Sequence, residues 1–344
     1  MDDAILIMGG GHQGLTMAAH LSLSGYKVNL WNRTAANISE LIKSKTVYCS
    51  GIINGVAHIN RASDNINEVL SRCIMVTTPA SAHKDIAAIL ASLVDDTYTI
   101  ILNPGRTFGA LEFKKALIDC GCKNLPIIAE TQTIIYTCRR KGNNNVILYA
   151  LKNGVEIATI SNVDIMKYLP KILQPYFSVN KSYMEVTLNN IGMVLHCAPL
   201  LFNIGWVETP KTKFKYYYEG ITPTIANFLE NIDSERILIS KKLGFSIESV
   251  RDWICRSYAI EGTSLYEVLR NNIYYKNIEA PKTMNHRYIN EDIPTGLVAF
   301  ESVGRFLGIC TPMISLIIDV ANAVLKKDFR KNSRDFSVLI NYLN

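Results

Sequence analysis

Gly9, Gly11 and Gly14 stand at the spacing G-x-G-x-x-G within Gly9-Gly10-Gly11-His12-Gln13-Gly14. That spacing suits one chemical task, the approach of a pyrophosphate to a backbone. Gly9 permits the tight turn, Gly11 lets the phosphates come close, and Gly14 lets a helix pack on a strand. The N–H groups and positive dipole end of a helix start beyond the loop would then face the anion. A second chemical signal follows at Trp31-Asn32-Arg33-Thr34. A site for NAD usually carries an acid there to bond the ribose 2′-OH, and none is present. Arg33 can instead clamp a 2′-phosphate, with Asn32 and Thr34 adding neutral donors. The expected cofactor is therefore NADP(H) in preference to NAD(H). The plainer alternative makes Arg33 a solvated loop residue.

These groups need elements to hold them. Ala4 to Met8 is an apolar run of the length of a buried parallel strand. Leu15 to Leu23 reads as a helix, with Leu15, Ala18, Ala19 and Leu23 on one face. Lys27 to Trp31 is the second strand. Strands are expected again over 73–77, 99–102 and 126–130, with helices over 37–44, 65–71, 84–93 and 110–119 between them. Val56 to Ile59 is a candidate edge strand. The strand ends at Thr78-Pro79 and Asn103-Pro104-Gly105 lie where an open α/β sheet binds its ligands, so Thr78, Pro79, Asn103 and Gly105 join the cofactor set, with His12 and Gln13 of the glycine loop. His83, at a helix start, could face the cofactor, and a surface histidine is the equal alternative. Beyond Gly142-Asn143-Asn144-Asn145 the alternation fades. A hairpin is expected over 146–151 and 155–160 around Asn153-Gly154, then a closing helix over 164–174. Long helical segments follow at 189–202, 222–243, 246–257, 264–272, 296–307 and 311–326. The fold class is thus an α/β N-terminal Rossmann domain with a doubly wound, mainly parallel sheet, residues 1–180. An all-α C-terminal domain, residues 181–344, completes it, with the reactive site expected in the cleft between them.

Composition narrows the partners. The 344 residues are 48% hydrophobic and 19% charged, with a net charge of +6. No long basic run points to nucleic acid, while mild basicity suits anionic small molecules. The N-terminus lacks a basic leader. The apolar stretch Met313 to Leu325 is too short to span a membrane and is broken by Asp319 and Asn322. The eight cysteines are scattered without metal spacing. Reduced, mostly buried thiols in a cytoplasmic protein are expected.

Four stretches resemble the octopine/nopaline (opine) dehydrogenase family. Two look like its nucleotide-domain motifs: Asn103-Pro104-Gly105-Arg106-Thr107, and Ala129-Glu130-Thr131-Gln132-Thr133 with Tyr136-Thr137-Cys138-Arg139. The third, Asn190 to Pro199 around Leu195-His196-Cys197-Ala198-Pro199, is similar to its catalytic-histidine helix. The fourth, Arg287 to Val298, looks like its substrate-domain signature. The Asn32-Arg33-Thr34 ending departs from the many members that carry an acid there. It resembles instead the ending of NADP-dependent β-hydroxyacid dehydrogenases.

The resemblance implies reductive condensation. An amino acid and a 2-oxo acid such as pyruvate form an imine, which a nicotinamide hydride reduces to an N-(carboxyalkyl)amino acid. It implies His196 as the proton-transfer residue, Asp292 as its partner and Arg287 as an active-site cation. The residue types agree. Histidine gives and takes protons near neutral pH, a carboxylate on one ring nitrogen fixes its tautomer, and arginine grips a carboxylate in two places. The plainer alternative makes His196 a satisfied core histidine and Asp292 an N-cap before Pro294. Arg139 could meet an anion or form a structural ion pair. The partners are then two small molecules, with no nucleic acid, membrane or metal, and a homodimer is allowed for. Two rival readings stand: an NADPH-dependent 2-oxo-acid reductase giving a hydroxy acid, and a non-catalytic NADP(H)-binding sensor or scaffold.

Overall fold

In a sheet covered on both faces, strands need no polar alternation. Ile5–Met8 (β1), Val28–Trp31 (β2) and Thr99–Leu102 (β7) are accordingly buried at every residue. The computed structural model describes residues 4–161, 163–180 and 182–343. The remaining strands are Thr46–Gly51 (β3), Gly55–His58 (β4), Arg61–Ser63 (β5), Cys73–Val76 (β6), Ile127–Thr131 (β8), Tyr136–Arg140 (β9), Asn145–Leu151 (β10), Val155–Thr159 (β11) and Phe177–Val179 (β12).

They form two sheets in the first compact unit, residues 1–105 and 109–186. The larger runs β12-β11-β8-β7-β6-β1-β2-β5. Every pair in it is parallel except β11 with β8. The order reverses on either side of β1, which places the switch point of the doubly wound sheet at the glycine loop. The smaller sheet runs β4-β3-β10-β9. Helix α1, His12–Leu23, shares one core with both: Leu15, Ala18 and Leu21 lie with Ile7 and Leu30 of the large sheet and Val47, Tyr136 and Leu148 of the small one. Ser39–Ser44 (α2), His83–Leu90 (α3) and Gly109–Asp119 (α4) are the other helices before residue 180.

Three local expectations are corrected. Asn153-Gly154 does not turn a hairpin. β10 pairs antiparallel with β9, whereas β11 joins the other sheet beside β8. The hairpin turns instead at residues 141–144, where Gly142 has φ +76°. Both loops carry turn residues, and the partner strands decide between them. Residues 65–71 form only a 3₁₀ turn, Ile66–Glu68, because the Asn65 side chain accepts the Asn67 N–H at 3.2 Å in place of a helical bond. Residues 164–174 likewise hold only the 3₁₀ turn Ile165–Lys167 and the first residue of another, Gln174–Tyr176. Asp164 accepts the Met166 N–H there, and Pro170 has no N–H to continue a helix.

The second unit, residues 106–108 and 187–343, is helical: Gly192–Phe202 (α6), Ile204–Glu208 (α7), Pro223–Lys242 (α8), Val250–Tyr258 (α9), Leu265–Asn271 (α10), Arg287–Asn290 (α11), Val298–Leu307 (α12), Pro312–Leu325 (α13) and Phe336–Leu339 (α14). A short helix, Tyr183–Leu188 (α5), precedes them across the unit boundary. Their starts are written locally. Thr222, Ser249 and Ser264 each accept an N–H of the first turn, and Pro223 and Pro312 occupy first helical positions. Between α11 and α12 the chain makes a π-helical turn, Ile293–Leu297, which contains Pro294. Such turns cost backbone bonding and are frequent at functional sites. No helix of the described residues is long and apolar enough to cross a membrane.

Candidate active site

Glycine sets the distance between the two segments that carry the expected catalytic residues. A Cβ on Gly296 would collide with Met193, so the π-helical turn lies directly against α6. That contact brings His196, on α6, to Asp292, which immediately precedes the π turn. His196 Nδ1 is 2.8 Å from Asp292 Oδ2. Asp292 makes no helix-capping bond and is completely buried. It is therefore the partner of the histidine and not an N-cap. The imidazole is further fixed by Tyr288, stacked on it at 3.9 Å and 11°. The Tyr216 hydroxyl donates to the His196 carbonyl at 2.5 Å.

A buried charge cluster surrounds the pair. The Arg106 guanidinium has Nη1 3.3 Å from Asp292 Oδ1 and Nε 3.3 Å from Glu291 Oε1. Arg287 Nε lies 3.0 Å from Glu291 Oε2. Arg287 is the outermost of the four, with its side chain 44% exposed against 2% for Glu291 and 7% for Arg106. A Cβ on Gly192 would fall on the Arg106 guanidinium, so the absence of a side chain there makes room for the cation. Arg106 holds φ +64°, and its segment is anchored at every step. Arg106 accepts from Thr187 through its carbonyl, Thr107 meets Asn190 and Arg334, and the Phe108 N–H donates to Thr187.

Electrostatics follow from burial. Desolvation would raise the Asp292 carboxyl, but Arg106 and then His196 outweigh it and hold the acid down at about 2. Burial pulls His196 below its ordinary 6.5, Asp292 partly restores it, and Arg106 and Arg287 lower it again. The resting histidine is thus neutral near pH 7, with one nitrogen on Asp292 and the other left for proton transfer. Burial also raises the Cys197 thiol and the Tyr216 hydroxyl, which stay protonated beside it.

The glycine loop of the first unit has the features a dinucleotide needs. Gly9 has φ +120°. A Cβ on Gly14 would strike the Gly9 carbonyl, whereas one on Gly11 would meet nothing within 4 Å. The loop is therefore tight where helix meets strand and open where phosphates approach. The buried Thr78 hydroxyl, beside Gly9, has no hydrogen-bond partner among the described residues. The residues present fit the group.

Other expected cofactor residues turn elsewhere. Asn32 accepts the Gly10 N–H at 2.9 Å and donates to the Thr34 carbonyl, so it braces the loop. His12 Nδ1 accepts the Arg140 N–H. Gln13 Oε1 is 3.4 Å from Cys138 Sγ. Pro79 is exposed beyond β6. The Asn103 amide donates inward to the Ile101 carbonyl and Met75 Sδ, and a Cβ on Gly105 would meet Glu130. Arg33, 68% exposed, pairs with Asp85 at 3.0 Å. His83 is neither a surface residue nor open, being fully buried with its ring edge-on to Phe113. All eight thiols are free, four of them buried and two, Cys120 and Cys310, exposed.

Sequence reasoning missed Arg106, Glu291 and Arg140. Arg106 lies within Asn103-Pro104-Gly105-Arg106-Thr107, a strand-end loop, and Glu291 next to Asp292. Arg140 reaches the Gly10 and Asn37 carbonyls through Nη1 and Nη2, and no local pattern marked it.

The chain is 33% identical over 97% of its length to an opine dehydrogenase from Arthrobacter sp. (strain 1C), covering 94% of that protein. The chain belongs to the octopine/nopaline (opine) dehydrogenase family. A family profile described as "NAD/NADP octopine/nopaline dehydrogenase, alpha-helical domain" matches residues 179–325. One described as "NAD binding domain of 6-phosphogluconate dehydrogenase" matches residues 4–134. Octopine dehydrogenase from Mizuhopecten yessoensis is 24% identical, over 74% of this chain and 70% of that protein. Among solved structures, octopine dehydrogenase with NADH and L-arginine superposes at TM-score 0.76 with 18% identity, covering 98% of this chain and 95% of that one. Yersinopine dehydrogenase with NADP⁺ bound superposes at 0.77 with 12% identity, covering 99% and 98%. As a family member the protein is an NAD(P)-dependent dehydrogenase acting on the CH–NH group of secondary amines.

Proposed function

We propose that the protein joins the amine of an amino acid to a 2-oxo acid and reduces the imine with NADPH, giving an N-(carboxyalkyl)amino acid, and that it runs the reverse oxidation. The carrying observation is the His196–Asp292 pair at 2.8 Å, its carboxylate fully buried, with Arg287 beside it at the rim of the same charge cluster. Arg287 binds the oxo-acid carboxylate through its outward face. The amine nitrogen then bonds to the oxo carbon, and that carbon's oxygen leaves as water. His196, neutral at rest, takes protons from the substrate ammonium as its nitrogen bonds and delivers them to this oxygen, so that two of the three ammonium hydrogens leave in the water, and the reverse oxidation runs the transfers backwards. Asp292 keeps the imidazole in one tautomer and stabilises its charged form. When bound, the reduced nicotinamide supplies the hydride that saturates the C=N bond.

NADPH is preferred because Arg33 stands where a carboxylate would repel a 2′-phosphate. Gly9, Gly11 and Gly14 receive the pyrophosphate, helped by the first backbone N–H groups of α1 at His12 and Gln13. Thr34, Thr78 and Pro79 line the ribose side, on a loop that Asn32 braces through the Gly10 N–H. Asn103 and Gly105 shape the neighbouring strand-end turn.

Related octopine dehydrogenase structures carry L-arginine or pyruvate, which makes these the first probes. The test follows NADPH oxidation with pyruvate, glyoxylate or 2-oxoglutarate against a panel of amino acids. Turnover that needs both substrates supports the reading. Equal turnover without any amine would assign a 2-oxo-acid reductase instead, and tight NADPH binding with no turnover on the whole panel would overturn catalysis.

A further inference from the structure

Arg106 touches both arms of the site. Its Nη1 faces Asp292 Oδ1 and its Nε faces Glu291 Oε1, each at 3.3 Å. Asp292 continues to His196, and Glu291 continues to Arg287. Two adjacent carboxylates, both buried, are thereby held by one buried cation, and each passes its second oxygen to a residue of the proposed chemistry. We propose that Arg106 is the common positioning residue of the active site, setting His196 through Asp292 and Arg287 through Glu291. The inference rests on the roles given above to His196 and Arg287.

The geometry supports it in three ways. Adjacent buried acids repel, and one cation held between them lets both stay ionised in place. A guanidinium presents a rigid fork that fixes two acceptors at once, which an ammonium cannot do. The left-handed backbone at Arg106 and the side-chain-free surface of Gly192 are both needed to seat it. Other ionisable groups around His196 do not substitute. Cys197, Tyr216 and Tyr217 are kept neutral by burial, Tyr288 stacks on the ring, and Arg287 lies outward.

Three variants test it, read by the titration of the His196 ring proton in NMR of the free enzyme and by KM for pyruvate. His196→Gln assigns the resonance. Arg106→Met is expected to raise the His196 midpoint by at least about half a pH unit, since a neighbouring cation has gone. It should also raise KM for pyruvate about tenfold, the effect of one lost oriented charge contact. Glu291→Gln should raise KM similarly and leave the His196 midpoint in place. Arg106→Lys, which keeps the charge and loses the fork, should keep the midpoint near wild type and still raise KM. If Arg106→Met does not fold, the other two variants decide. An unmoved midpoint in Arg106→Met, or wild-type KM in both Arg106→Lys and Glu291→Gln, overturns the proposal. The titration needs no turnover, so it tests the Asp292 arm even where the catalytic reading fails, and that reading fails separately if His196→Gln keeps normal turnover.

Discussion

Asp292→Asn is the sharpest perturbation of the site, because the two oxygens of Asp292 face opposite demands. Oδ2 receives the imidazole Nδ1 at 2.8 Å and Oδ1 faces Arg106 Nη1 at 3.3 Å. An asparagine has one acceptor and one donor. If its oxygen stays on His196, its NH₂ confronts the guanidinium. If its oxygen turns to Arg106, its NH₂ meets Nδ1 and forces the proton onto Nε2, the tautomer that cannot accept one. Either way the charge that stabilises imidazolium is gone, and the already depressed His196 falls further. General acid–base catalysis contributes about 10²- to 10⁴-fold, or roughly 2.7–5.5 kcal/mol of barrier at 1.36 kcal/mol per tenfold. Turnover should therefore fall by about that factor, measured as initial rates of NADPH oxidation at saturating pyruvate and amine. NADPH affinity, measured by fluorescence titration, should change less than about twofold, because the glycine loop belongs to the other unit. His196→Ala should match it, and the double variant should be scarcely worse than the worse single one. Additive losses, or an Asp292→Asn enzyme that is folded and within a few-fold of wild-type turnover, would refute the paired role.

Arg33→Ala tests cofactor choice. A hydrogen bond to a charged group is worth roughly 1.5–3 kcal/mol, but Arg33 must first leave Asp85, an exposed pair worth about 0–1 kcal/mol. NADPH affinity should thus drop roughly two- to 150-fold and NADH affinity little, and equal losses would remove Arg33 from the 2′-phosphate. Asp85→Ala should tighten NADPH a few-fold, a gain that vanishes in an Arg33→Ala background. Gly11→Val should abolish dinucleotide binding while the thermal midpoint holds, because a Cβ there meets no protein atom within 4 Å; tight NADPH binding by this variant would place the phosphates elsewhere. Acid should destabilise the fold in two stages. The unfolded chain protonates His196 and the similarly depressed His20 near 6.5, before the folded chain does. Asp292, at about 2 folded against 3.8 unfolded, adds a second loss below about pH 4. Melting temperatures should be level between about pH 7 and 8 and fall below 6.5, with a shallower first stage in His196→Gln; an unchanged first stage would show that His196 is not buried neutral.

What the sequence determined by itself was local. Three glycines at i, i+2 and i+5 specify a turn whose constraints lie within six residues, so the loop was legible without a fold. Apolar runs of four and five residues announced β1, β6 and β7, and Thr222 and Ser264 opened two expected helices, because burial and capping act over one or two turns, whereas the helix expected from 246 begins only after Ser249. His196, Asp292 and Arg287 could be named through a family resemblance, since such motifs preserve residues without stating their contacts. Tertiary structure decided the rest. Asn153-Gly154 and Gly142-Asn143-Asn144 are equally good turns, and only strand partners elsewhere in the chain chose between them. Arg33 meets Asp85 across 52 positions and Arg106 meets Glu291 across 185. A charged side chain is costly to bury until its counter-charge arrives, and nothing in the residues flanking Arg106 says that Glu291 and Asp292 will do so. Such partnerships are properties of packing, where the energy depends on distances that no spacing along the chain encodes.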